Sequence, residues 1–290
     1  MATLALPTGS LHESTLSLFG AAGLTVRRSS SRALRAVIDF DGIDEVVFGK
    51  AREIPGFVAD GTFDLGLAGT DWIEESGAKI EVVHEIAYSK TTTGTGWRVV
   101  LAVPFDHPAT TPADLPAGVR VASEYPAISR RYFEEELGLD VRVVHSLGST
   151  EAKVPGLADA VLEVVETGAS LRHNNLRELA TVRHCGVQLI AGERAWADPA
   201  VRAVAEQIAT LLRAARAAQE NVLLTVVIPV ERWQAVRGGL AGRWWLLDGG
   251  QDVVAQVTCT RESVAETVIR LTEAGALQVV ETPMSKLVVA

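Results

Sequence analysis

Short apolar runs of strand length alternate along the chain with stretches whose apolar residues recur at helical spacing. Thr3 to Leu6 predicts a strand, closed by the turn Pro7-Thr8-Gly9. Ser10-Leu11-His12-Glu13 has the Ser-x-x-Glu spacing of a capping box. It predicts a helix with Leu11, Leu18, Phe19 and Ala22 on its apolar face and Gly23 at its end. Strands are expected at 37–39, 44–48 and 63–68, a helix at 53–60 with Pro55 in its first turn, and another helix opened by Asp71. The rhythm is that of an α/β domain with a largely parallel sheet.

A second set of elements begins after TTTGTG at 91–96. Strands are expected at 97–103, 119–122, 141–144, 160–165 and 187–191, with a helix at 128–137. After Asp198-Pro199, a helix carries Val201, Val204, Ala205, Ile208, Leu211, Leu212 and Ala215 on one face. From about residue 220 the rhythm changes to a strand at 222–230, a helix at 231–238, strands at 243–247 and 252–259, a helix at 263–274 and a strand at 277–281. That β-α-β-β-α-β order is the order of a ferredoxin-like unit.

Composition narrows the function classes. A chain of 290 residues with 48% hydrophobic and 22% charged residues is globular and long enough for two or three compact units. No apolar run approaches the ~18 residues of a membrane span. The first residues lack the basic region of a signal peptide, so a cytoplasmic protein with no membrane partner is expected. Cys185 and Cys259 are far apart with no CxxC, which points to neither a metal site nor a disulfide framework. A net charge of −9 argues against nucleic acid as a partner and leaves anionic small molecules open.

Four stretches could carry chemistry. In VLEVVETGASLR (161–172) an apolar strand breaks into Thr167-Gly168-Ala169-Ser170. One reading is a turn glycine and helix-capping hydroxyls. The other is a phosphate site, in which backbone N–H groups and hydroxyls converge where a side chain at 168 would block the approach. Asp159 and Glu163, four residues apart, fall on one side of the strand and suit sugar hydroxyls or hydrated Mg2+. GFVADGTFDLGLAGTDWIEE (56–75) places Asp64, Gly66, Gly69 and Asp71 around a strand, as turn and cap residues. EYPAISRRYFEEELG (124–138) carries Arg130-Arg131, read as a solvated helix face with Arg–Glu pairs, and HSLGSTEAKVPGLADA (145–160) offers Gly148-Ser149-Thr150-Glu151 with Lys153, an anion-binding turn or an ordinary loop.

The order of these motifs resembles the ATP phosphoribosyltransferase family in its long form with a C-terminal regulatory domain. LALPTGSL looks like that family's first strand and glycine loop, and IPGFVADGTFDLGLAGTDW like its Ile-Pro-x-x-Val…Asp-Leu-Gly segment. EYPAISRRYF resembles its Tyr-Pro…Arg-x-Phe helix, and GSTEAKVPGLADAVLEVVETGASLRHNNL its sugar-phosphate segment. The resemblance implies transfer of the phosphoribosyl group of phosphoribosyl pyrophosphate to N1 of ATP with release of pyrophosphate, the first step of histidine biosynthesis, with Mg2+ as cofactor. It also implies a two-lobed catalytic part like a periplasmic binding protein, with 1–96 and 182–218 as lobe I, 97–181 as lobe II and 219–290 as a ferredoxin-like regulatory domain. A histidine effector and a homodimer or hexamer follow from it as well.

By the same resemblance Thr167, Gly168, Ala169, Ser170 and Leu171 cradle the 5-phosphate, and Asp159 and Glu163 face the ribose hydroxyls. Gly9 and Ser10 approach the substrates from lobe I, Asp71 lies on the cleft rim, and Lys50 and Arg32 supply charge. Mg2+ is held mainly by substrate phosphates. The chain departs from the family at Thr8, where Lys is usual, at Lys50, where Arg is usual, and at Glu163, where Asp is usual. GLAGRWWLLDGGQDVV also lacks the family's Ser-Pro-Thr segment. Replacement of the missing cations by Arg32, Arg52 or Arg130 is open at this point, and charge-removing substitutions test it. The departures leave two other readings open, a paralogue with another acceptor and an inactive homologue that binds phosphoribosyl pyrophosphate.

Overall fold

The computed structural model describes residues 1–86, 88, 96–237, 244–249 and 252–288. Part of the TTTGTG stretch, the expected helix end at Gly238, the strand start at Arg243 and much of GLAGRWWLLDGGQDVV lie outside the described residues. The chain divides into two compact units, Met1–Ser17 with Leu24–Ala209, and Leu18–Gly23 with Thr210–Ala290.

In chain order the first unit opens with β1 (Ala2–Thr8), helix α1 (His12–Ala21), β2 (Val26–Arg28), β3 (Arg35–Ile38) and β4 (Ile43–Lys50). Then come α2 (Ile54–Ala59), β5 (Leu65–Gly69), α3 (Thr70–Ser76) and β6 (Glu81–Ile86). Next are β7 (Trp97–Pro104), β8 (Val119–Ser123), α4 (Pro126–Arg130), β9 (Val141–His145), β10 (Ala160–Val165), α5 (Ala169–His173), β11 (Leu176–Cys185) and β12 (Val187–Ala191). Helices α6 (Glu193–Ala197) and α7 (Pro199–Glu220) follow, and the ends of α1 and α7, from Leu18 and from Thr210, belong to the second unit.

Two mixed sheets result, in the orders β2-β3-β4-β1-β5-β12-β6 and β11-β7-β10-β8-β9. The parallel pairs are β4-β1 and β1-β5 in the first sheet and β10-β8 and β8-β9 in the second, and the other neighbours are antiparallel, so the expected largely parallel sheet is corrected to a mixed one. Strands β6 and β11 were absent from the periodicity. Both mix charged with apolar residues, and β11 pairs with β7 through two register shifts. Strand β11 stays in the second sheet as far as Cys185, beyond residue 181. Gly186 alone then separates it from β12 in the first.

Strand β1 is flanked on both sides and almost wholly buried, as a continuous apolar run requires. Ala5, Ile54, Val58, Ala68 and Ile190 form the core between its sheet and α2. The second sheet packs Val100, Ala102, Ala122, Val161 and Val165 against Leu171 and Leu176. The Ser10–Glu13 capping box does not form. Gly9–Leu11 instead make a 3-10 turn, with Gly9 at φ 83°, that runs into α1. The helix expected at 128–137 is α4 followed by a π-helical turn, Arg131–Glu136.

In the second unit, β13 (Asn221–Pro229), α8 (Val230–Arg237), β14 (Trp244–Gly249), β15 (Asp252–Thr260), α9 (Val264–Glu273) and β16 (Gln278–Pro283) follow in order. Its antiparallel sheet runs β14-β15-β13-β16. Alternate residues of β13 are buried, and Val222, Leu224, Val226 and Ile228 meet Trp233, Val257 and Leu271.

Close packing in the first unit depends on Gly192, because a Cβ there would stand 2.6 Å from the backbone oxygen of Val58. Gly192→Ala is expected to cost about 1–3 kcal/mol as an overpacking substitution, read as a lower urea midpoint with an unchanged slope.

Candidate active site

The carboxyl ends of the strands define where side chains gather. In the first sheet β1, β4 and β5 are parallel, and two antiparallel steps make β2 parallel to them. One edge therefore carries Thr8, Gly9 and Ser10 after β1, the β2–β3 turn with Arg32, Lys50 at the end of β4, and Asp71 after β5. In the second sheet the carboxyl edge carries Glu124 and Tyr125 after β8, His145 and Ser146 at β9, and Glu166 to Leu171 after β10. A cavity of about 390 Å3 brings the two edges together, lined by Arg52, Glu53, Trp72 and Glu75 from one and by Glu124, His145 and Ser146 from the other.

The turn at 167–171 is a local consequence of β10 ending at Val165. Gly168 adopts φ 72°, a conformation that suits glycine, and caps α5. A Cβ there would lie 3.0 Å from Arg172 Nη1 and 3.4 Å from Glu178 Oε1. Arg172 Nη1 donates to the Thr167 carbonyl at 3.1 Å, which holds the turn from behind. Thr167, Ala169 and Ser170 are exposed and Leu171 is buried, so the hydroxyls and first-turn N–H groups face outward from a fixed apolar anchor. The Ser170 hydroxyl donates to Glu151.

Glu163 sits half-buried on β10 with Thr150 bonded to it. Burial, reinforced by the charges of Glu124 and Glu151, raises its pKa above the usual carboxylate value, while bonds from the Val164 N–H and Thr150 act the other way. Nearby, the Lys153 ammonium turns back on its own loop, donating to Ser146 and to the Gly148 carbonyl. Among the described residues no cluster of three or more His, Cys, Asp or Glu is placed to hold a metal ion.

Two expected site residues lie elsewhere. Asp159 precedes β10, at the amino edge of the sheet and about 20 Å of strand away from the turn. There it accepts from Arg120 Nε and Nη2 at 3.0 and 2.7 Å and from the Arg120 N–H at 2.9 Å, and the Arg120 bonds hold its pKa below the usual value. The four-residue spacing does put Asp159 and Glu163 on one side of a strand, but at different ends of it. Asp71 is only 3% exposed and lies beneath the rim rather than on it. Its Oδ2 accepts from Tyr125 Oη at 2.9 Å and Trp97 Nε1 at 3.2 Å, both from the second sheet's elements.

Asp71 belongs to a clasp that the sequence reading missed. One turn along α3, Glu75 accepts from the Ala127 and Ile128 N–H groups at 2.9–3.0 Å, capping α4, whose first residue Pro126 has no N–H. Trp72 packs on Tyr125 with ring centroids 4.4 Å apart. Glu74 accepts from Arg183 Nε and Arg131 Nη1, both at 3.0 Å, and Arg183 also pairs with Glu136. The i, i+4 spacing of Asp71 and Glu75 and the Tyr-Pro opening of α4 were the available signals. Burial and then the Asp71 charge push the Tyr125 hydroxyl far up, so it stays a donor, and the same two causes push the Cys185 thiol up to about 12. Gly69 makes room, since a Cβ there would stand 2.2 Å from Asp71 Oδ1.

Sheets that present parallel strand ends to one cleft place the chain among α/β proteins that take a small ligand outside the carboxyl ends of their strands. The family model described as ATP phosphoribosyltransferase matches residues 50–214. The chain is 36% identical to the ATP phosphoribosyltransferase of Nitratidesulfovibrio vulgaris (strain DSM 19637 / Miyazaki F), covering 99% of this chain and 98% of that one. It is 39% identical to the ATP phosphoribosyltransferase of Koribacter versatilis (strain Ellin345), covering 98% of each. Its fold resembles a chain of the ATP phosphoribosyl transferase (HisG:HisZ) complex from Thermotoga maritima, with a TM-score of 0.60 at 24% identity, over 73% of this chain and 98% of that one. The chain belongs to the ATP phosphoribosyltransferase family.

No helix among the described residues is long and apolar enough to cross a membrane. Tyr125→Phe removes a donor from the buried Asp71 and is expected to cost about 1–3 kcal/mol in urea unfolding. The raised pKa of Glu163 means that its stabilising linkage is complete below its ordinary value of 4.5 and is lost as pH rises through the raised one. Glu163→Gln should therefore be more stable than the native chain at pH 7, with no such advantage at pH 4, in parallel melts.

Proposed function

We infer that the protein joins N1 of the ATP adenine to C1 of phosphoribosyl pyrophosphate and releases pyrophosphate, the first step of histidine biosynthesis. The observation that carries this reading is the turn at Thr167–Leu171, whose hydroxyls face outward over buried Leu171, on the same sheet as Glu163 and opposite a second edge that bears Gly9, Ser10, Arg32 and Lys50. The turn would take the 5-phosphate on N–H groups and hydroxyls, and Glu163 would face the ribose hydroxyls. Asp159 has no part in this assignment, and Asp71 positions the cleft rather than touching substrate.

The adenine nitrogen supplies the electron pair for the new C1–N1 bond, and the C1–O bond breaks with its pair going to pyrophosphate. Positive charge builds on the sugar and negative charge on the leaving group. Positioning two substrates and neutralising the departing oxygens therefore supply most of the catalysis, without a covalent nucleophile. Mg2+ would supply counter-charge to the substrate phosphates, and Glu163 with Thr150 would hold a hydrated cation beside the ribose.

The finer architecture is part of the same proposal. We read the two mixed sheets as two lobes of a periplasmic-binding-protein-like catalytic part. We read the second unit as a ferredoxin-like regulatory domain, which its β-α-β-β-α-β order and its strand order support. A histidine effector and a dimeric or hexameric assembly belong to this reading.

The test is incubation with ATP, phosphoribosyl pyrophosphate, Mg2+ and a pyrophosphatase, following N1-phosphoribosyl-ATP by ultraviolet absorbance. Gly168→Glu should reduce the rate by about a hundredfold or more at unchanged secondary structure, because it displaces the phosphate. A native rate in that variant would remove the turn from the mechanism. No product from the native chain, despite calorimetric binding of phosphoribosyl pyrophosphate, would mean a different acceptor or lost catalysis.

A further inference from the structure

Most arginines with ordered partners in the first unit face carboxylates: Arg35 pairs with Glu45, Arg98 with Glu178, Arg120 with Asp159, and Arg131 and Arg183 with Glu74. Arg28 is held differently. Its Nη2 lies 2.9 Å from His12 Nε2, its Nη1 donates to the Ser31 carbonyl at 3.2 Å, and its guanidinium carbon stands 4.6 Å over the Phe48 ring. His12 packs edge-on against the same ring, with centroids 5.1 Å apart, and its Nδ1 lies 3.3 Å from the Pro7 carbonyl.

The proton positions follow from chemistry. A guanidinium only donates, so His12 Nε2 accepts, and Nδ1–H then donates to Pro7. The imidazole is neutral in this arrangement, so it orients Arg28 without cancelling its charge. Glu13, 92% exposed on its side chain, approaches His12 only to 4.0 Å. Arg28 ends β2, and β2 runs parallel to β1 and β4, so its charge lies on the edge that carries Thr8-Gly9-Ser10 and Lys50. Thr8 does not compete there as a cation, and its hydroxyl donates to the Gly49 carbonyl at 3.0 Å. An oriented, half-buried guanidinium with neutral partners is matched to a group with two adjacent anionic oxygens.

We propose that Arg28, aimed by neutral His12 and the face of Phe48, is the diphosphate-recognising residue of this edge. It takes the pyrophosphoryl group of phosphoribosyl pyrophosphate and retains the released pyrophosphate. No new bond is made by Arg28, which stabilises the charge that collects on the leaving oxygens. The identity of the substrate rests on the phosphoribosyl-transfer reading, whereas the recognition of inorganic pyrophosphate does not.

Calorimetry with inorganic pyrophosphate and Mg2+ tests the inference directly on the full chain, with thermal melts as the control for folding. Arg28→Met should weaken binding about tenfold or more, and Arg28→Lys should recover only part, since an ammonium lacks the fork. His12→Phe keeps an aromatic ring near Phe48 but removes the acceptor, so it should lower the same affinity. His12→Gln should restore most of it. The His12→Phe, Arg28→Met pair should be no worse than Arg28→Met alone, because His12 acts through Arg28. In turnover, Arg28→Met should raise KM for phosphoribosyl pyrophosphate and the inhibition constant of pyrophosphate while leaving KM for ATP near the native value.

Pyrophosphate binding by Arg28→Met within twofold of native, or a loss confined to ATP, would overturn the assignment. If the native chain shows no transfer but Arg28→Met still loses pyrophosphate, the phosphoribosyl reading fails and the Arg28 site stands.

Discussion

A carboxylate taken almost out of water is the constraint on which the active-site half of this protein depends. Asp71 is tolerable in its setting only while donors from the other sheet's elements are aimed at it, and Tyr125 and Trp97 provide them. That requirement pins the first residue of β7 and the residue before α4 to the start of α3. Glu75, one turn on, then uses its charge on the N-terminus of α4, and Glu74 gathers two arginines. The cleft between the strand ends is therefore framed by side chains whose mutual placement is set by electrostatics, with packing between Trp72 and Tyr125 filling the centre.

Around that frame the charges are sorted by edge. Acidic side chains collect on the second sheet's carboxyl edge, where burial and the charges of Glu124 and Glu151 raise the cost of ionising Glu163. Away from that edge Asp159 is committed to Arg120 and Glu178 to Arg98. The opposing edge carries cations, with Lys50 and Arg52 exposed and Arg28 held by neutral groups. A ligand with a sugar at one end and a diphosphate at the other meets hydroxyl acceptors on one side and donors on the other.

Local pattern made a good part of this legible. The runs 3–6, 63–68 and 160–165 became strands because each is an apolar stretch of strand length bounded by turn residues, and the Thr-Gly-Ala-Ser break did become a left-handed turn entering a helix. What the sequence hid was what depends on distant partners. Strand β11 alternates irregularly because it slips register against β7, and the antiparallel strands that make both sheets mixed carry no local sign of direction. Asp159 was misplaced because side-chain alternation reports the face of a strand and is silent about its end. Asp71 meets donors 26 and 54 positions away, and Arg28 is made useful by a histidine sixteen residues earlier. Within α3 the i, i+4 placement of Asp71 and Glu75 is visible, but the partners they meet are set by no spacing.

The cap on α4 has a mechanical consequence. A five-residue helix followed by a π-helical turn has little stability of its own, and its first free amides are satisfied by a side chain from the far side of the cleft. If the sheets swing apart about Gly186, those amides lose their acceptor at the same instant. Separation of the sheets is thereby geared to fraying of a short helix, on top of the loss of the donors that satisfy Asp71.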